Sequence, residues 1–187
     1  MSTETLTVRE ATLADTDTLV RLVRTAYRGD VGWTTESGLL DDERIDTTGM
    51  ARKISEPDGA VLVGLDSPAS GRVVACCEVV HRGAGLAYFG MFAVDPALQA
   101  AGLGRLMLSR AEDFATDRWG AHTMEMTVIA QRDELINWYE RRGYTVTDAI
   151  RPFPYDELVG GGALRDDLFF RVLVKPLVPG VAGRTTS

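Results

Sequence analysis

The sequence predicts a mixed α/β (α+β) fold, with one domain in which strands and helices are interleaved around a single central sheet. A length of 187 residues favours one domain and is enough to bury a sizeable core. Hydrophobic residues make up 45% of the chain and charged residues 25%, which is ordinary globular composition and excludes the disordered and collagen-like classes. Short apolar runs alternate with amphipathic segments, and this alternation indicates the layered fold.

The first third of the chain predicts one strand and two helices. Residues 6–11 predict a short strand. Residues 15–28 carry apolar side chains at i, i+3, i+4, i+7 and i+8, the pattern of an amphipathic helix, with Asp15 as its cap and Gly29 at its end. The following segment begins as a loop, and its second half, about 42–55, predicts another helix.

The middle of the chain predicts three consecutive strands. Residues 60–65 and 72–80 are rich in β-branched residues and are separated by a turn, which is typical of a hairpin. Residues 86–94 form a third apolar run that ends at Asp95-Pro96.

The last third alternates helix and strand. An apolar stripe predicts a helix at 104–118, followed by a buried strand at 124–130 and a short helix at 134–142. Residues 145–150 are compatible with a further strand, and 168–175 predict the last one.

The charge of the chain bears on its partners. Lys and Arg number 20 against 27 Asp and Glu, which gives a net charge of −7. Because nucleic-acid binding needs a surplus of basic residues, we expect no nucleic-acid partner. Residues 30–58 hold eight acidic and three basic residues, so most of the excess negative charge lies there.

The cysteine and histidine content argues against disulfides and metals. The two cysteines, Cys76 and Cys77, are adjacent, and neighbours in a strand point to opposite faces. The two histidines, His81 and His122, are far apart, so we expect no metal site. The sequence shows neither a signal peptide nor an apolar stretch of membrane-spanning length, and we therefore expect a cytoplasmic protein without a membrane partner.

The stretch 92–105, FAVDPALQAAGLGR, carries the most chemical information. Gly102 and Gly104 follow a strand and open a helix, where glycine lets the backbone turn tightly and approach a ligand. The unpaired amides of a helix start bind phosphate or diphosphate groups. The pattern is neither the nucleotide P-loop nor the dinucleotide-binding fingerprint, and by itself it is weak evidence for a ligand, because a turn without a ligand has the same pattern.

Three motifs together resemble the GCN5-related N-acetyltransferase (GNAT) family, and in particular an uncharacterised bacterial subfamily. Residues 99–104, QAAGLG, match the family's acetyl-CoA loop [QR]-x-x-G-x-[GA]. Val94-Asp95-Pro96 resembles the V-x-P at the end of its central strand, and residues 138–144, WYERRGY, resemble its Y-x-x-x-G-[FY] segment. The resemblance spans roughly residues 6–176.

The resemblance implies a mostly antiparallel sheet that opens in a V between its fourth and fifth strands, with the pantetheine arm of acetyl-CoA in the gap. Backbone groups of the central strand would pair with that arm, and the amides of the glycine turn would hold the diphosphate. The implied acetyl-CoA contacts are Phe92, Ala93, Val94, Gln99, Ala100, Ala101, Gly102, Leu103, Gly104 and Arg105.

The resemblance also implies catalytic residues. Tyr139 stands where the family carries its usual general acid, and a phenol with a pKa near 10 is protonated at neutral pH. For the general base three side chains stay open, namely Glu78, Glu125 and His81, and a water chain without a single base is a further alternative.

One position departs from the family pattern. Seven residues before Tyr139 the family often has an Asn that contacts CoA, whereas this chain has Arg132. Arg132 is therefore a candidate replacement for that contact, and Asn137 is nearby but out of register.

Two further segments resemble the regions that flank the acceptor in the family. The first is the loop around Trp33 and Glu36, and the second contains Phe153 and Tyr155. These four residues are candidate acceptor contacts, and the alternative is that they pack the loops. Because residues 30–58 are acidic, we expect a cationic amine acceptor.

The function expected from the sequence is transfer of an acetyl group from acetyl-CoA to a primary amine of a small molecule or peptide. The alternatives are a non-catalytic acyl-CoA-binding regulatory protein and a nucleotide-phosphate-binding protein. We expect residues 1–177 to form the acetyltransferase domain and 178–187 a flexible tail. A homodimer is compatible with the apolar last strand.

Overall fold

The computed structural model describes residues 6–28, 36, 38–40, 43–67, 69–158 and 160–177, and the side chains of residues 28 and 99–101 are outside this description. The predicted tail, 178–187, also lies outside the described residues. The strands are β1 (Thr7–Glu10), β2 (Gly59–Leu65), β3 (Val73–Gly83), β4 (Leu86–Val94), β5 (Thr123–Ile129), β6 (Thr145–Pro152) and β7 (Phe169–Pro176). The helices are α1 (Thr16–Arg28), α2 (Thr47–Ile54), α3 (Leu103–Trp119) and α4 (Asp133–Glu140).

The seven described strands form one sheet in the order β1-β2-β3-β4-β5-β7-β6. Neighbouring strands are antiparallel except for β4 and β5, which are parallel. This arrangement confirms the predicted mixed α/β class with a mostly antiparallel sheet, and it includes the strand at 145–150, which the sequence supported least.

Helices cover both faces of the sheet. One core, which contains Leu19, Val23 and Met50, lies between the sheet and the pair α1 and α2. A larger core on the opposite face contains Met107 of α3 and Tyr139 of α4. The helices α3 and α4 therefore pack against the same face of the sheet.

The adjacent cysteines show the alternation of a strand directly. Cys76 belongs to the core under α1 and α2, and Cys77 to the core under α3. Both are buried thiols without a disulfide, as their opposite orientation predicts.

Aspartate side chains accept hydrogen bonds from backbone amides near the starts of the first two helices. Asp15 ends a short 3₁₀ turn, Leu13–Asp15, and its carboxylate accepts a hydrogen bond from the amide of Thr12 at 2.7 Å. Asp46 caps α2, since its carboxylate accepts from the Gly49 amide at 2.6 Å. The second helix thus begins at Thr47, later than the sequence indicated. No helix among the described residues has the length and apolar character needed to cross a membrane.

Candidate functional site

The sheet opens between β4 and β5. Residues 86–88 of β4 pair with residues 123–125 of β5, and the two strands separate beyond Tyr88. A cleft of about 240 Å³ lies in this opening. Its walls are formed by Tyr27, Glu36, Arg44, Tyr88, Phe89, Gly90, Met91, Phe92, Met126, Thr127, Val128, Ile129, Arg132, Leu135, Tyr139 and Phe170. An exposed strand edge of this kind offers backbone donors and acceptors to an extended molecule.

A β-bulge shapes the wall of the cleft on β4. The register with β3 shifts between the pairs Cys76↔Ala93 and Glu78↔Gly90, so β4 carries one extra residue there. Met91 lies within this bulge with a φ of 43°, a left-handed conformation that is uncommon for a side chain of this kind. Such local strain is found preferentially at functional sites.

The glycine turn lies at the end of the strand that carries the bulge. A 3₁₀ turn, Pro96–Ala101, leads to Gly102, whose φ of 78° is the left-handed conformation that glycine adopts at no steric cost. The α3 helix begins at the next residue, and its first amides have no acceptor within the helix. Among the described atoms, none lies within 4 Å of the position of a Cβ at Gly102, so this turn has open space beside it.

Positive charge accumulates near the start of α3. The pKa of Arg142 is lowered, first by burial and then by the charges of Arg141 and Arg105. Arg142 is held by a hydrogen bond from Nη1 to the carbonyl of Trp138 at 2.6 Å, and its guanidinium lies 3.4 Å from the centre of the Trp138 ring. Because the Trp138 ring lies 3.5 Å from the position of a Cβ at Gly104, Arg142 is close to the start of α3, where positive charge suits an anionic group.

Tyr139 is a buried residue of α4 that lines the cleft. Its ring makes edge contacts with Trp138 and Tyr144, at centroid distances of 5.1 and 5.8 Å. Burial raises the pKa of Tyr139 well above that of a free phenol. The hydroxyl is therefore fully protonated at neutral pH.

The three candidate bases have different surroundings in the structure. Glu78 on β3 accepts hydrogen bonds from Lys53 Nζ at 2.8 and 2.7 Å. Glu125, opposite Tyr88 at the last pair of β4 and β5, has an oxygen 4.0 Å from the guanidinium of Arg151. His81 stacks on Trp119 at 5.5 Å between ring centres. Of the three, Glu78 lines a second cavity, whose walls share Arg44, Tyr88, Gly90 and Met91 with the cleft.

The far end of the cleft contains a buried ion pair. Arg132 donates from Nη1 to Glu36 Oε1 at 2.8 Å, and the two side chains are 10% and 7% exposed. The guanidinium of Arg132 also lies 6.0 Å from the Tyr27 ring centre. Arg132 is thus beside Glu36, whereas Asn137 lies exposed on α4. The sequence pattern did not indicate that the candidate donor contact and the candidate acceptor contact are partners.

The other candidate acceptor residues, Phe153 and Tyr155, are not among the residues that line the cleft. Phe153 is buried with Ile129 and Leu168, and it packs on Tyr155 and Phe170 at 4.9 and 5.4 Å. Tyr155 accepts a hydrogen bond from the Leu168 amide at 2.8 Å. Phe170 lines the cleft, so these residues support the wall. The candidate Trp33 lies outside the described residues.

Sequence reasoning missed several residues of the cleft. Tyr88 and Thr127 share a hydrogen bond of 2.9 Å between their hydroxyl oxygens, which links β4 to β5 beyond their last backbone pair. Tyr27 belongs to the apolar stripe of α1, and the guanidinium of Arg44 lies 5.0 Å from its ring centre. Tyr88 and Thr127 could have been predicted from the alternation of polar and apolar residues along two buried strands.

Comparison with known proteins identifies the family. Residues 19–144 match the model of the "Acetyltransferase (GNAT) family". The chain belongs to this family. It is accordingly an acetyl-CoA-dependent N-acetyltransferase, and the resemblance, enzyme class and donor predicted from the sequence are confirmed. No protein of curated function matches the sequence significantly.

Solved structures share the GNAT fold with this chain. One is the PaiA N-acetyltransferase of Thermoplasma acidophilum in complex with coenzyme A, at 17% identity and a TM-score of 0.68, covering 92% of this chain and 99% of that one. Another is yncA of Salmonella typhimurium with acetyl-CoA, at 24% identity and a TM-score of 0.61, covering 97% and 99%. A third is spermidine N-acetyltransferase of Vibrio cholerae with CoA and spermine, at 14% identity and a TM-score of 0.66, covering 93% and 96%. At these identities the likeness shows the fold.

The described residues contain no group of three or more His, Cys, Asp or Glu side chains that could hold a metal ion. The polar groups of this GNAT cleft are instead hydroxyls, guanidinium groups and one carboxylate. Such groups suit acid–base chemistry and the orientation of a polar substrate.

Proposed function

We propose that this GNAT protein transfers the acetyl group of acetyl-CoA to a primary amine of a small molecule or peptide, by direct attack of the amine on the thioester. The observation that carries the proposal is the buried Tyr139, which lines the cleft where β4 and β5 have separated. A protonated phenol in that wall is a proton donor next to an edge that can bind an extended molecule.

The donor would lie along the open edge of β4. Backbone groups of Phe92, Ala93 and Val94 would pair with the amides of the pantetheine arm, as an added strand does. The diphosphate would lie at the glycine turn and the start of α3, residues 99–105, where the space beside Gly102 is open. Arg105, together with Arg141 and Arg142, would supply the opposite charge.

Acetyl-CoA supplies the acetyl group as an activated thioester. The amine nitrogen forms a bond to the carbonyl carbon while the carbon–sulfur bond breaks. A backbone N–H at the Met91 bulge donates to the carbonyl oxygen as negative charge develops there. Tyr139 gives its proton to the departing sulfur and regains one from solvent, so the products are an N-acetylated amine and the free thiol of CoA.

The amine must lose one proton during this step. Glu78 is the better placed carboxylate, because its cavity shares Tyr88, Gly90 and Met91 with the cleft. Glu125 and a water chain are the competing routes. Glu78→Gln and Glu125→Gln separate them, since only the variant that removes the base should shift the acidic limb of the pH–rate profile.

Ligand binding provides the first test. Acetyl-CoA at about 100 times its Kd should stabilise the fold by about 2.7 kcal/mol, and ATP at the same concentration should not. Release of free CoA thiol in the presence of an amine panel then measures transfer.

The outcomes separate the alternatives. An unfolding temperature that acetyl-CoA leaves unchanged would overturn the assignment of the donor site. Stabilisation by acetyl-CoA without thiol release for any amine would support a non-catalytic acyl-CoA-binding protein, and stabilisation by ATP would support a nucleotide-phosphate-binding protein.

A further inference from the structure

The cleft shares part of its wall with a second cavity, which we call the side cavity. The volume of the side cavity is also about 240 Å³. Its walls are formed by Arg44, Ile45, Lys53, Glu78, Val80, Arg82, Tyr88, Gly90 and Met91. Tyr88 and Gly90 belong to the walls of both spaces, so they lie on the boundary between them.

The side chain of Tyr88 crosses the gap between β4 and β5. The last backbone pair of these parallel strands is Tyr88↔Glu125. Thr127 lies two residues further along β5, and its hydroxyl shares a hydrogen bond of 2.9 Å with the hydroxyl of Tyr88. The Tyr88 ring therefore bridges the two strands at the point where their backbones have separated.

Three contacts fix the position of this ring. The first is the hydrogen bond to Thr127. The second is the guanidinium of Arg82, which lies 5.1 Å from the ring centre. The third is the backbone of Gly90, where a Cβ would lie only 2.8 Å from Tyr88 Cε1, so the ring occupies the space that a side chain at this position would need.

The opposite face of the sheet is closed at the same level. Ala87 and Phe89 of β4, and Met126 and Val128 of β5, alternate with the residues of the bridge along their strands. All four belong to the core that packs against α3 and α4. A group at the closed end of the split therefore meets a packed core on one face, and the bridge with the side cavity behind it on the other.

The length of the donor places its acyl group near this ring. Between phosphorus and sulfur, the pantetheine arm has about 13 bonds and two amides, so it spans about four to five extended residues. In the proposed donor site the arm runs back from Val94 along β4, and this length ends at Phe89 or Gly90. The acyl carbons would then lie one or two residues from Tyr88, where the strands come together.

We infer that the Tyr88 ring restricts the donor to acyl chains of two or three carbons. This inference rests on the proposed function and specifies its donor. The methyl group of an acetyl chain would end at the ring. Each further methylene group would need the space that the ring occupies, and displacement of the ring would break its hydrogen bond to Thr127.

The experiment measures the binding of acetyl-, propionyl-, butyryl- and hexanoyl-CoA by calorimetric titration, which needs no acceptor. We expect the wild type to bind butyryl- and hexanoyl-CoA with a Kd at least about tenfold above that of acetyl-CoA, because a packed site resists added methylene groups. Release of CoA thiol with an amine that accepts acetyl should show the same order in kcat/KM.

Tyr88→Ala should join the cleft to the side cavity. We expect the ratio of the butyryl-CoA Kd to the acetyl-CoA Kd to fall at least about tenfold, since the added methylene groups can be buried beside Ile45 and Val80. Tyr88→Val, whose β-branched side chain suits a strand, makes the same test if the alanine variant does not fold.

Two further variants are matched to these. Tyr88→Phe keeps the ring and removes one hydrogen bond, so the ratio should change by no more than about fivefold. Phe114→Ala is the control, because it removes a half-buried ring of α3 that packs on Trp119 at 5.4 Å and lines neither cavity. The control should keep the ratio of the wild type.

The results distinguish this inference from the proposed function. If the wild type binds acetyl-, butyryl- and hexanoyl-CoA equally well, the inference is overturned and the proposed donor site stands. The inference is also overturned if both truncations of Tyr88 keep the wild-type ratio, or if Tyr88→Phe is as permissive as Tyr88→Ala. If no acyl-CoA binds, the proposed function itself fails and the inference fails with it.

Discussion

Arg132 at the start of α4 donates to the Glu36 carboxylate, 96 positions away in the chain, across a distance of 2.8 Å. Both side chains are at least nine-tenths buried. The bond connects the segment that follows α1 to the helix that carries Tyr139. It therefore fixes the position of the candidate acid relative to the far end of the cleft.

Removal of either partner of this buried pair should destabilise the protein, because the remaining charge keeps its desolvation cost. We expect Glu36→Gln and Arg132→Gln each to lower the free energy of unfolding by about 1–3 kcal/mol. The double variant should lose less than the sum of the two, with a coupling energy of about 0.5–3 kcal/mol in urea unfolding. Additive losses would show that the two side chains do not stabilise one another.

Tyr139→Phe should keep the ring contacts with Trp138 and Tyr144 and remove the proton donor. We expect kcat to fall by at least about tenfold, since general acid–base assistance is typically worth about 10²–10⁴-fold, with acetyl-CoA affinity nearly unchanged. Tyr144→Phe is the control: it removes a hydroxyl that donates to Glu112 at 2.9 Å outside the cleft. The control should lose stability and retain kcat. A fully active Tyr139→Phe would assign the proton to water.

The pH dependence of the wild type provides a separate check on Tyr139. Burial raises the pKa of its hydroxyl, so the protonated form persists to higher pH than in free tyrosine. We expect no loss of kcat from ionisation of this group below about pH 10, the pKa of an unperturbed phenol. A descending limb near neutral pH that Tyr139→Phe abolishes would contradict this expectation.

Gly104 is the second glycine of the turn, and its surroundings predict which substitutions it accepts. A Cβ there would lie 3.5 Å from Phe92 Cζ and from Trp138 Cζ2, which is ordinary contact. Gly104→Ala should therefore fold and bind acetyl-CoA. Gly104→Val adds two methyl groups against these rings and the helix start, and overpacking of this kind costs about 1–3 kcal/mol. We expect the valine variant to lose acetyl-CoA affinity in calorimetric titration, and normal binding would exclude this turn as the diphosphate site.

The ion pair of Asp15 with Arg9 should make the free energy of unfolding fall in acid. The hydrogen bonds from Arg9 are the main cause that lowers the pKa of Asp15 from 3.8 to about 2. Because the folded state lowers this pKa, the stabilisation is present above pH 4 and is lost as pH falls from about 4 to 2. We expect the wild type to lose about 1 kcal/mol more than Asp15→Asn over this window, a value reduced by solvent screening. Urea unfolding at pH 5 and pH 2 measures the difference, and equal losses in the two proteins would show that Asp15 does not contribute.

Periodicity and turn residues predicted the elements of this fold well, because most are bounded by strong local signals. Gly102 lies directly before α3 and marks its start, and Asp95 lies directly after β4 and marks its end. The start of α2 was placed too early, since the cap at Asp46 depends on a hydrogen bond to Gly49 that periodicity does not detect. The mostly antiparallel pairing of the strands was predicted only through the family resemblance. Strand order depends on contacts between distant residues, which local patterns do not show.

The site was predictable where one short segment forms it and unpredictable where distant segments meet. The glycine turn and Tyr139 each lie in a local motif. The Arg132–Glu36 pair joins segments far apart in the chain, and the bulge at Met91 is a register shift that leaves no mark on the alternation of β4.

The short junction of β4 and β5 has a mechanical consequence. Only residues 86–88 and 123–125 form backbone pairs between the two described strands, so we expect the sheet to behave as two plates, β1–β4 and β5–β7, joined by a narrow hinge. Amide hydrogen exchange should report this as weaker protection at the junction than inside either plate. A molecule that lies between the two edges bridges both plates, so its binding should slow exchange on both sides at once and stiffen the sheet as a whole.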